Sequence, residues 1–288
     1  MRLPDITTPE FRSVIDGIVR EISPVAVVCF GHSLSMVSHT SCFQETSSEH
    51  HHYDLLIVQS NSGHYKDHEI IDLVKNEFPE FLSVNVLSHS ERSVLTAIDQ
   101  HHPFFCRVFS EGRVLHLAEN SHFEMVGVET LVASVDQIKL MRECQRSFDL
   151  SGNFLAMASD ALGSHVYDVA VFLLHQSMEQ MCIASIKAHL KYRPTTHNLL
   201  KLIDLIGCHL PHAKSIFPRN TNDEREMFDF LRRAYSDVRY KHNYRIPQHI
   251  AFSLLERVNE FQNLIEDKYN REFKNEVAEG SDQTLVSE

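Results

Sequence analysis

Apolar positions Phe11, Val14, Ile15 and Ile18 recur at helical spacing between Thr8 and Arg20, and Pro24 closes the segment, which predicts a leading helix. Two continuous apolar runs follow, Val25 to Phe30 and Leu55 to Val58, and runs apolar on both faces predict central strands covered on each side. The polar stretch between them, roughly twenty residues, is expected as a loop. Beyond it, HEIIDLVKNEF predicts an amphipathic helix, Phe81 to Leu87 a third strand, ERSVLTAIDQ a helix and RVLHL a short strand. Helices and strands alternate throughout this half.

After Ala118 the strand signals vanish, and from Val135 long helical patterns follow one another. One of them keeps two apolar stripes. Val166, Val169, Leu173, Met181, Ala184 and Ala188 form the first, and Phe172, Ile183, Ile186 and Leu190 the second, which predicts a helix central to a bundle. Thr195 or Thr196 is expected to cap the next helix, and Pro211 falls beyond its end. Phe228, Leu231, Tyr235 and Val238 mark a further helix, and Ile250, Leu254, Val258, Phe261 and Ile265 the last. The fold class expected is α+β, a small mixed sheet and then an all-α bundle. The boundaries expected are residues 1–120, a connector at 121–134, a helical domain at 135–270 and an acidic disordered tail at 271–288.

Composition narrows the choice. The chain has 288 residues, enough for two cores, and 43% are hydrophobic. No continuous apolar run matches a membrane span and the start lacks a secretory apolar core, so a cytoplasmic protein with no membrane contact is expected. The six cysteines are scattered without a Cys-x-x-Cys pair and read as buried reduced thiols. A net charge of −12 argues against general coating of polyanions but leaves room for a local basic patch.

Gly31 and Ser33 follow the first strand, and Asp54 lies at the entry to the second. In two-metal phosphoryl chemistry a turn at such a place admits a triphosphate, and carboxylates two residues apart hold magnesium. This layout resembles the glycine-serine turn and Asp-x-Asp strand of the polymerase-β-like nucleotidyltransferases. The resemblance makes Gly31, Ser33 and Asp54 nucleotide-binding candidates and Asp54 a catalytic candidate. The family's first carboxylate falls on His52 and its third on Asn85, which removes most of the negative charge that magnesium needs. A histidine-based alternative has His50, His52 and Asp54 sharing one strand face as ligands for zinc or manganese, so His52 and Asp54 are the metal candidates.

In the helical half, VAVFLLHQSMEQMCIASIKAHL, THNLLKLIDLI and LRRAYSDVRYKHNYR occur in that order. They resemble the HEPN family, helical bundles named for nucleotide binding and paired in many prokaryotes with nucleotidyltransferase domains. The resemblance implies nucleotide or RNA as partner, and a homodimer formed through the helical domain. HEPN ribonucleases use an arginine and a histidine, and Arg239 with His242 are the candidates here. Two residues separate them and three separate Arg245 from His249, neither of which is the family's spacing. Arg225, Asp229, Arg233 and Asp237 are expected to form a ladder of surface ion pairs. Arg239, by contrast, has no acid three or four residues away. With Tyr240, Lys241, His242 and Arg245 it makes a cationic and aromatic cluster suited to phosphate binding and base stacking. His175 and Glu179, four apart, either line a nucleotide pocket or satisfy each other in the core; His197 is assigned to a helix start. The function expected is a nucleotide- or RNA-binding protein with an inactive transferase-like domain and no required cofactor, magnesium being the candidate if one is held. The alternatives are an active enzyme, either a HEPN-type ribonuclease or a nucleotidyltransferase with altered ligands, and a dimeric scaffold.

Overall fold

The computed structural model describes residues 7–62, 65–77, 82–119, 121–125, 137–242 and 244–274. The chain divides into two compact units, Met1–Ser134 and Val135–Glu288. Most of the connector and the tail beyond Lys274 lie outside the described residues.

The first unit is built on a mixed sheet of four strands. Helix α1 (Pro9–Ile22) starts at Thr8, whose hydroxyl accepts from the Phe11 amide, and ends at Ser23 in the left-handed conformation. Strand β1 (Ala26–Thr40) pairs antiparallel with β2 (Glu45–Gln59) along its length, and β2 pairs in parallel with β3 (Leu82–Ser90). Short β4 (Arg113–Leu117) closes the other side, giving the order β3-β2-β1-β4. Phe11, Val14, Ile15 and Ile18 of α1 join Ile70 and Val74 of α2 (Asp67–Glu77) over the face that carries Val27, Cys29, Tyr53, Leu55, Ile57, Val84 and Val86. The Phe11 and Tyr53 rings stack at 3.6 Å within this core. Two further helices, α3 (Glu91–Asp99) and α4 (Pro103–Glu111), pack against β2, β3 and β1 and bury Val94, Ile98, Phe104, Phe105 and Cys106.

The expected polar loop after Phe30 is strand instead. β1 runs on to Thr40, turns at 41–44 and returns as β2, so Gly31 sits inside a paired strand at a bulge rather than in a turn. Cross-strand backbone hydrogen bonds hold such a ribbon without apolar burial, and the hydrophobic pattern therefore does not reveal it.

The second unit is helical. Helix α5 (Gln137–Gly163) lies beside α6 (Tyr167–Leu190), and α7 (Leu199–Gly207), α8 (Asn222–Tyr240) and α9 (Gln248–Tyr269) complete the bundle. α6 packs against all four of the others and is buried along most of its length. By length and composition alone α6 could cross a membrane, which the absence of one continuous apolar run does not reveal; its place is the bundle core. Val166 and Val169, expected in its first stripe, are 42% and 40% exposed, Val166 as the cap residue before the helix and Val169 in its first turn. The cap of α7 is Asn198, whose side chain accepts from Leu200 N, while Thr196 receives the Asn198 amide one step earlier. Thr221 and Glu224 form a capping box at α8. The polar tail is helical at its start, since α9 continues into a π-helical turn at Asn270–Lys274. Four cysteines are buried as expected of inert thiols, but Cys42 is exposed and Cys208 half-exposed.

Candidate functional site

In the first unit, His52, Asp54 and Asn85 meet on one face of the sheet. Strand alternation puts His52 and Asp54 on the same side of β2, and the parallel register sets Asn85 beside Asp54 and Ser83 beside His52. Asn85 Nδ2 donates to Asp54 Oδ1 at 3.0 Å, and His52 Nδ1 and Ser83 Oγ lie 2.8 Å apart. His52 Nε2 stands 3.6 Å from Asp54 Oδ1, too far for a hydrogen bond. Asp54 and Asn85 are almost fully buried. Gly31 is required here by close approach, since a Cβ at that position would come within 2.5 Å of Asp54 Oδ2. Ser33 pairs with His52 across the ribbon.

Magnesium does not fit this donor set. The atom that Asn85 presents to the Asp54 carboxylate is an amide donor, whereas a hard cation needs oxygen lone pairs converging there. The zinc or manganese alternative is not supported either: among the described residues no three His, Cys, Asp or Glu side chains are placed to hold a metal ion, and His50 faces Ser35 farther along the ribbon. Two buried atoms of this cleft, His52 Nε2 and Asn85 Oδ1, have no hydrogen-bond partner among the described residues.

The second cluster gathers residues that are far apart in sequence. Arg239, in the last turn of α8, donates Nε to the Tyr235 carbonyl at 2.7 Å. Its guanidinium carbon lies 4.1 Å from the centre of the Tyr235 ring and 5.2 Å from that of Tyr240. Both rings lie within cation–π distance of the guanidinium, and its Nη atoms have no carboxylate partner among the described residues. Tyr235 also stacks with His197 at 5.1 Å and 10°, and with His175 at 5.5 Å. His197 Nδ1 donates to the buried Glu179 Oε1 at 2.9 Å, so this histidine does more than start a helix. The His197 side chain is itself 57% exposed.

The other members of the expected cluster are partly committed. Lys241 forms an ion pair with Asp237 at 2.7 Å, Arg245 donates to the Tyr244 carbonyl, and Tyr240 is 73% exposed; His242 is exposed as well. The ladder of ion pairs is also rearranged. Asp229 holds both Arg232 and Arg233, while Arg225 turns to Asn222 and the Arg219 carbonyl. A shallow pocket beside α8 is lined by Glu226, Asp229 and Asp237 with Phe230, Arg233 and Tyr244, and its three carboxylates disfavour a phosphate.

His175 is fully buried, with Nδ1 donating to the Leu231 carbonyl at 3.0 Å. Its Nε2 is therefore an acceptor, and it faces Glu179 Oε2, a second acceptor, across 3.8 Å. Burial pushes the imidazole down to about 4, and it pushes His209, which is bonded to Ser185, down to about 3. Both are neutral when folded and gain a proton on unfolding below their ordinary value near 6.5. Their stabilisation is thus complete at neutral pH and is lost as pH falls through the window from 6.5 toward 4 and 3. Between pH 7 and pH 5 the helical unit should lose about 2 kcal/mol for each histidine, read from urea unfolding followed at 222 nm. His175→Gln and His209→Gln should each flatten that pH slope, whatever they do to stability at pH 7.

The family model of the HEPN domain matches residues 145–268, which contain the whole of the second cluster. This segment is similar to the HEPN domain family. Glu179 on α6, Tyr235 and Arg239 on α8, and His197 in the segment just before α7 are thus brought together within the matched region. The protein is also similar to a solved structure, a nucleotidyltransferase-like protein from Exiguobacterium sibiricum 255-15. The two share 11% identity with a TM-score of 0.28, over 90% of this chain and 76% of that one. No curated protein matches the chain.

Proposed function

We propose that this chain binds nucleotides or RNA through its HEPN unit, and that the cleft at Asp54 has the layout of a nucleotidyltransferase site but no longer transfers nucleotides. The observation that carries the binding reading is the Arg239 guanidinium, flanked by Tyr235 and Tyr240, tied at Nε and open at its fork. A planar fork held in place loses little freedom on gripping a phosphate in two-point fashion. Exposed Tyr240 offers a ring on which a base can stack, and exposed Lys241 and Arg245 follow it in the chain as further cations.

The inactive reading of the first unit rests on charge. One carboxylate, with one of its oxygens occupied by an amide donor, cannot hold two magnesium ions against water. Two measurements test the two readings separately. Single-stranded RNA oligonucleotides and ATP should bind with a salt-sensitive affinity, and a flat titration at low salt would remove the first. Incubation with labelled ATP and magnesium should label neither the protein nor an RNA acceptor, and magnesium-dependent labelling that is lost in Asp54→Ala would remove the second.

A further inference from the structure

β1 and β2 pair with each other from Ala26↔Val58 to Thr40↔Glu45, but their outer neighbours are short. β4 accompanies β1 only from Ala26 to Cys29, and β3 accompanies β2 only from His51 to Gln59. Among the described residues, the outer edge of β1 from Gly31 to Thr40 therefore has no strand beside it. A two-stranded ribbon standing alone is marginal in water, and its unpaired N–H and C=O groups are a template for another strand. Proteins that keep such an edge single blunt it with lysine, proline or a charge. From His32 to Gln59 there is no lysine, arginine or proline, and Leu34 and Met36 stand 47% and 65% exposed.

Charge selects the occupant. No lysine or arginine occurs between Arg20 and Lys66, so the ribbon lacks the cations that a nucleic-acid groove demands. The β2 edge carries Glu45 and Glu49, which would face their own copies across a two-fold axis. From Gly31 to Thr40 the β1 edge carries no acid, lysine or arginine and meets itself without repulsion. We propose that this edge of β1 pairs antiparallel with the same edge of a second copy of the chain, about a two-fold axis at Ser35. That register sets Leu34 opposite Met36 of the second copy and Met36 opposite its Leu34, gathering four exposed apolar side chains on one face. The helical unit also exposes Ile138, Leu150 and Met157 on α5, but nothing at that face selects a second copy over another partner.

Directly opposed residues have Cβ atoms about 4.5–5.5 Å apart, near enough to the roughly 3.5–4.5 Å span of a disulfide for small shifts to close it. In a Cys42→Ser background, Ser35→Cys is therefore expected to give a covalent dimer under mild oxidation, while Ser47→Cys on β2 does not. Light scattering should find the unmodified chain dimeric and Met36→Lys monomeric, with an unchanged circular dichroism spectrum. A monomeric unmodified chain would overturn the proposal, as would a dimer that survives Met36→Lys. Crosslinking at Ser35 no faster than at Ser47, which pairing through α5 would give, overturns it equally.

Discussion

Arg239→Ala is expected to weaken binding of a single-stranded RNA oligonucleotide by about tenfold to about a hundredfold at moderate salt, the cost of losing a charge-assisted, two-point contact. The slope of log affinity against log salt should fall by about 0.7, because one fewer phosphate is neutralised on a single strand. Arg239→Lys should keep that slope yet recover only part of the affinity. An ammonium restores the charge but not the fork, and it stacks less well on Tyr235. Filter binding over a salt series checks both. Equal affinities for the three proteins would place the phosphate elsewhere, most directly on Arg245 or Lys241. Tyr235→Phe is the control: it retains the ring under the guanidinium and should leave affinity within about twofold.

The second large effect is a gain. Replacing His52 and Asn85 together by aspartate puts three carboxylates on one face of adjacent strands around Asp54. Without a cation they repel in a site where Asp54 and Asn85 are almost fully buried, and the first unit should lose several kcal/mol of stability. Magnesium or manganese at millimolar concentration should recover it, raising the melting temperature by roughly 5–10 °C. The unmodified chain should move by less than about 1 °C under the same conditions. Differential scanning fluorimetry with calcium as a third ion reads this directly. A comparable magnesium response in the unmodified chain, abolished by Asp54→Asn, would mean that the amide does not exclude the ion and that the cleft is competent after all.

Much of the fold that buries apolar surface was legible in the chain. The stripe Phe11, Val14, Ile15 and Ile18 lies against the sheet, and the apolar runs at Val25 and Leu55 are its central strands. The ribbon beyond Gly31 was not, because its serines and histidines are held by cross-strand backbone bonds that leave no periodic trace. α4 was missed because PFFCRVFSE is too dense in aromatic residues for a single apolar stripe to stand out, although Pro103 at its start marks a helix entry. The site in the helical unit was half visible. Arg239 and Glu179 could each be singled out from local spacing, whereas the contact of His197 with Glu179 spans 18 residues and depends on the turn between α6 and α7. Tyr235 read as a core marker, and its ring does lie against His175; only three dimensions add the guanidinium and the second imidazole.

The place of α6 has a dynamic consequence. α5, α7, α8 and α9 all rest on it, so none of these four can detach without uncovering apolar surface at the centre. Amide protons of α6 should therefore exchange with solvent only when the whole bundle opens, at a rate that tracks global unfolding, while the Tyr240 end of α8 exchanges by local fraying. A ligand held at Arg239 would slow the second process long before it touched the first.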